Sequence, residues 1–198
     1  PGTLMDDELL VPENSNFLVA LTIRDNLWGL AYADISTGEF CTTQGVDLSN
    51  LKSELLRLQP AEVIIPANDI DSGRMIRPGE ESSLLIDAFP DCFCYSLRTK
   101  TTFDLNTARE KLLNAFKVSS LEGMGCHDLP LAISAAGGLL KYIEDTQIDQ
   151  QLTLQLPKNY NLNDLLEGVE IEEKLQPEPA YFMLVKNFLA DKVHKRFL

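Results

Sequence analysis

The chain has 198 residues, 44% of them hydrophobic, enough for one domain with extra elements or for two small ones. Its 17 Lys and Arg against 30 Asp and Glu leave a net charge of −13, which argues against a phosphate backbone as a direct partner, because such binding depends on cations that displace counterions. No apolar run is long enough to cross a bilayer and no basic-then-apolar signal opens the chain, so the expectation is a cytoplasmic setting with no membrane partner.

Residues 1–16 are polar and acidic, carry Pro1, Gly2 and Pro12, and read as a linker; the start on Pro1 reads as a piece cut from a longer protein. Phe17–Ile23 is continuously apolar, as a strand buried on both faces is. Arg24-Asp25-Asn26 predicts a turn, Leu27–Ala33 a second strand, Ser36-Thr37-Gly38 another turn, and Glu39–Thr43 a third strand with alternating polarity. Together they form an antiparallel meander. Asp47 is placed to cap a helix in which Leu48, Leu51, Leu55 and Leu58 recur on one face, and Pro60 ends it. "AEVIIP" is then a buried strand reached by a helical crossover, which makes it parallel to an earlier one. Residues 67–83 read as a loop with a short helix, and "DCFCYSL" as one more strand.

Asp104 is expected to cap a helix through Lys117, with Leu105, Ala108, Leu112, Ala115 and Phe116 inward. Gly123 and Gly125 break the chain, and Pro130 stands near a helix start, where its missing N–H costs little. The helix that follows carries small residues from Ala132 to Gly138. Each Gly there costs roughly 1 kcal/mol relative to Ala, so close packing is the expected compensation. Residues 160–175 and 179–196 read as two further helices, the second amphipathic. This order is the layout of a ribonuclease-H-like α/β domain, a mixed sheet with flanking helices, followed by C-terminal helices.

A nuclease of that fold needs a carboxylate on its first, central strand and others nearby to hold two metal ions. Phe17–Ile23 has none. Asp25 lies in the next turn, and Asp34 and Glu39 stand on either side of the Ser36-Thr37-Gly38 turn. These three are the candidates for a metal-dependent nuclease; the plainer reading gives Asp34 to the turn backbone and Glu39 to solvent. The four cysteines, Cys41, Cys92, Cys94 and Cys126, lack zinc spacing and are expected to be reduced. Cys126 beside His127 is a poor nucleophile–base pair, and no phosphate-binding G-x-x-x-x-G-K-[ST] occurs. Trp28, the lone tryptophan, is expected in or against the core.

Five ordered stretches share a further likeness: "PGT-x-x-D-x-x-LL" at Pro1–Leu10, "GLAYADISTGEF" at Gly29–Phe40, "LQPAEVIIP" at Leu58–Pro66, "FDLNTAREKLLNAF" at Phe103–Phe116 and "AAGGLLKYIEDTQ" at Ala135–Gln147. They resemble the connector domain of bacterial MutS, the DNA mismatch repair family, followed by the start of its core (lever) domain. The resemblance covers residues 1–147. It implies a linker at 1–16, a ribonuclease-H-like connector at 17–122 and the start of a helical core domain at 123–147, with 148–198 unassigned. It also implies a module that is no enzyme in itself and holds no cofactor, with ATP and Mg²⁺ bound elsewhere in the full-length protein. Its expected partners are MutL and the other domains of the same chain, with mismatched DNA met by the full-length protein. The MutL-contacting positions of the family fall on Glu110 and Lys111, where the family pattern often has polar uncharged residues. The family's usual continuation to an Arg-Arg-Asn-Leu motif does not appear after Gln147. A module unrelated to repair, recruiting a partner through residues 148–198, is the third reading.

Overall fold

A computed structural model describes residues 17–146 and 154–162. The described residues up to Tyr160 form one compact unit; a second begins at Asn161. The linker expected at 1–16 and most of the 148–198 tail, including both expected helices beyond residue 162, lie outside the described residues.

Three strands open the fold: β1 (Phe17–Arg24), β2 (Leu27–Asp34) and β3 (Glu39–Val46), a full antiparallel meander. Asp25 takes φ 57° in the first turn and Gly38 takes φ 75° in the second, the left-handed geometry tight reversals use. Helix α1 (Leu48–Leu58) crosses over to β4 (Glu62–Ala67), which pairs parallel to β1 as expected. A turn-rich stretch follows and contains the two-residue strand β5 (Met75–Ile76) where a short helix was expected. Strand β6 (Tyr95–Thr99) runs parallel to β4, later in the chain than "DCFCYSL" suggested. Helix α2 (Leu105–Phe116) starts at Asp104, whose carboxylate accepts from the Thr107 N–H at 3.1 Å. Helix α3 (Pro130–Thr146) starts on proline, and β7 (Lys158–Asn159) closes the sheet beside β3. The sheet order is β5-β6-β4-β1-β2-β3-β7. The central β3-β2-β1-β4-β6 part, with its antiparallel meander and parallel crossovers, is the mixed α/β arrangement expected.

Successive strand residues face opposite sides. On one side, Ala20, Ala31, Ala33, Phe40 and Ile64 form a core with Ala108 and Leu112 of α2 and Ile133, Ala136, Leu139 and Ile143 of α3. Backbones come very close here. A Cβ on Gly29 of β2 would stand 2.2 Å from the Leu131 carbonyl carbon, and one on Gly137 would stand 2.3 Å from the Ala108 Cβ. The small-residue run therefore lets α3 lie against both β2 and α2. Helix α3 lies in the same compact unit as the sheet.

Helix α1 covers the other side with Leu51, Leu55 and Leu58 buried. Asp47 sits at its N-cap position but caps nothing with its side chain; its Oδ1 accepts from Asn26 Nδ2 at 2.7 Å instead. Trp28 is fully buried, and its indole N–H donates to the Asp47 carbonyl at 2.9 Å. Its cross-strand partner is Gly45, where a Cβ would stand 2.4 Å from the indole ring. One inward expectation fails: Ala115 faces solvent.

Candidate functional site

Glu110 is exposed on the outer face of α2. Lys111, one residue on, reaches across to α3, where its Nζ stands 2.6 Å from Glu144 Oε2. About a quarter of the Lys111 side chain stays exposed, against 45% for Glu144. The face thus carries Glu110 free at the surface and a Lys111–Glu144 pair that ties α2 to α3. The pair is exposed enough for solvent to weaken it. Near the start of the same helix, Arg109 donates to the His127 carbonyl at 3.4 Å.

The candidate carboxylates are distributed along the meander. Asp34 and Glu39 are direct cross-strand partners at one end of the β2–β3 hairpin. Asp34 Oδ1 accepts from the Ser36 N–H at 2.8 Å and the Ser36 hydroxyl at 2.6 Å, and the Ser36 hydroxyl holds its carboxyl below the usual carboxylate range. This is the turn role expected of it. Glu39 differs from the solvated residue expected: its Oε1 accepts from the Tyr32 hydroxyl at 3.2 Å and stands 3.6 Å from Cys41 Sγ. Asp25 lies at the far end of the hairpin, since Arg24 pairs with Leu27 while Phe17 pairs with Asp34. Seven strand steps separate those ends, roughly 23 Å, so Asp25 shares no metal with Asp34 or Glu39. Among the described residues no group of three His, Cys, Asp or Glu side chains is placed to hold a metal ion.

Cys126 is fully buried while the His127 side chain is half exposed. None of the four cysteines is in a disulfide. Burial pushes the thiols of Cys41, Cys94 and Cys126 up, away from the reactive thiolate form.

Two polar constellations escaped the sequence reading. Glu62 Oε1 of β4 accepts from the Tyr142 hydroxyl at 2.8 Å and from the Ser96 hydroxyl, joining α3 to β4 and β6; the Arg98 guanidinium lies 4.7 Å from the centre of the Tyr142 ring. On the α1 side, the Glu54 side chain is 1% exposed and accepts twice from Arg57, at 2.5 and 2.8 Å, and once from the Tyr160 hydroxyl at 2.7 Å. The spacing held a signal for Glu54. It falls with Leu51, Leu55 and Leu58 on the apolar stripe of α1, with Arg57 three residues on. No local pattern points to Tyr160, which is 106 positions away.

Residues 16–158 match the family model of MutS domain II. The chain belongs to the MutS family. It is 53% identical over 166 residues to the DNA mismatch repair protein MutS of Nostoc punctiforme, 54% to that of Trichormus variabilis and 55% to that of Microcystis aeruginosa. Each match covers 84% of this chain and 19% of the relative, so the aligned part spans about a fifth of those MutS proteins. The MutS domain II match runs through α3 and into β7, in keeping with the single compact unit that holds both. It makes the ribonuclease-H-like sheet the connector domain, domain II, of a MutS protein.

Proposed function

We propose that this chain acts as a connector, coupling the mismatch-binding and ATPase parts of a full-length cytoplasmic MutS protein and offering MutL a docking surface on the outer face of α2. DNA, ATP and Mg²⁺ are partners of the full-length protein in this reading, and the chain itself works by contact rather than turnover. The observation that carries it is the exposed face on which Glu110 stands free beside the Lys111–Glu144 pair. Rim charges of this kind steer a partner and set register more than they set raw affinity.

The test is a calorimetric titration of the chain with MutL, repeated with Glu110→Lys and Lys111→Glu. The expected result is binding that weakens about tenfold in the double charge reversal, as loss of well-placed interface charges does. Unchanged affinity in that variant removes the patch, and absence of binding removes the docking role. The chain alone is expected to leave mismatched duplex unbound at nanomolar concentration, given its net charge of −13.

A further inference from the structure

Beyond α3 the chain returns to the sheet and crosses its edge. Leu154 packs against the α2–α3 core, the Gln155 N–H donates to the Gly38 carbonyl at 2.8 Å, and Pro157 is buried. Lys158 and Asn159 pair in parallel with Cys41 and Thr42. The Tyr160 N–H donates to the Thr42 carbonyl at 2.9 Å, and its ring meets Tyr32 edge-on at 5.8 Å between centres. Its hydroxyl then reaches Glu54 of α1. Seven residues thus run from the layer on one face of the sheet to the layer on the other. Tyr160 is also the last residue of the compact unit.

We infer that residues 154–160 are a detachable latch, a strap held by Tyr160 on Glu54 that releases from β3 while the rest of the sheet stays folded. It goes beyond the coupling and docking readings and stands on this geometry alone. Three features make release local. Strand β7 is two residues long and its side chains are exposed. Strand β3 becomes an edge when β7 leaves, so its backbone groups pass to water rather than being stranded in the interior. Glu54 keeps both Arg57 bonds, so no buried carboxylate is left without a cation. Burial, and then the neighbouring Glu54 carboxylate, push the Tyr160 phenol up, which keeps it the donor in this contact. Cys41 is 8% exposed, is the register partner of Lys158, and lies on the sheet face that carries Tyr32. Release therefore uncovers it, which gives the latch a chemical reporter.

The test uses the full 198-residue chain with Cys92→Ser and Cys94→Ser, leaving Cys41 and the fully buried Cys126. Tyr160→Phe keeps the ring and removes only the donor to Glu54. Hydrogen exchange in 154–160 and thiol labelling of Cys41 are expected to quicken about tenfold, the scale of losing one hydrogen bond to a charged group. Exchange in β1 and α3 is expected to stay as it was. In the same background, Lys158→Cys oxidised with diamide is expected to bond to Cys41, because register partners on neighbouring strands lie within disulfide reach, and to slow release of the strap. Unchanged exchange in Tyr160→Phe overturns the latch. So does equal acceleration across the whole sheet, which makes the strap part of the global core. Failure of the cross-link to form, or a cross-link that leaves exchange in 154–160 unslowed, overturns it as well.

Discussion

The sheet face under α2 and α3 is closed by removing side chains, and the face under α1 is closed by filling space with aromatic rings and a polar cluster. On the first, Gly29, Gly137 and a run of alanines let backbones approach until no Cβ would fit. On the second, Trp28, Tyr32 and Tyr160 occupy the space, and Glu54, Arg57, Glu39 and Cys41 satisfy one another or the tyrosines. Close backbone packing tolerates little added volume, whereas a layer of large rings and hydrogen bonds suffers most from losing a part. The first face should therefore be the more sensitive to added atoms and the second to removed ones, Gly45 beneath the Trp28 ring excepted.

Trp28→Ala should have the largest effect, roughly 3–5 kcal/mol of unfolding free energy in urea titrations, because it empties the space between β2, β3 and the start of α1. A cost below ~1 kcal/mol would mean the α1 face is not a packed layer. Gly29→Ala should come next, at about 1–3 kcal/mol, since one methyl group forces α3 off β2. A neutral result there would break the contrast between the faces.

Arg57→Met should cost more than Glu54→Met, by about 1–2 kcal/mol. The first leaves a buried carboxylate without its cation, and the second frees a guanidinium that is already about half exposed. Equal costs would show the cluster acting as packing alone. The smallest effect is in the acid limb. The carboxyls of Asp34 and Asp104 are held below their ordinary value, by the Ser36 hydroxyl and by the Thr107 N–H respectively. Their stabilisation is complete above the unfolded value of about 3.9 and is lost as pH falls through the lower folded values. Urea midpoints measured from about pH 5 down to about pH 2 should fall less steeply in Asp34→Asn and Asp104→Asn than in the parent chain.

The meander, the α1 stripe, the parallel β4 and the Asp104 cap were legible because each is specified within a few residues. A continuous apolar run, a spacing of three and four, or an Asp before a helix is local physics. The loop at 67–83 was less so. Strand β5 has two residues, too few for any periodicity, and pairs with a strand some twenty positions later. Solvation is the plainer reading of Glu39 from the sequence; only folding brings the Tyr32 hydroxyl to it.

The sequence by itself determined the kind of fold, its meander and crossover, and the family, through five motifs in order. Tertiary structure alone decided where α3 belongs, because its small residues are compatible with several neighbours and only the folded chain brings Gly29 of β2 and Ala108 of α2 to meet them. It also decided what stands at the N-terminus of α3. Gln44 Oε1 of β3 accepts from the Leu131 N–H at 2.8 Å across 87 positions, doing the work that a local capping residue usually does. The strap on β3 belongs to the same class. Its anchors, Tyr160 and Glu54, carry no local signature of each other, since a hydrogen bond between distant elements depends on their final positions and leaves no period in the chain.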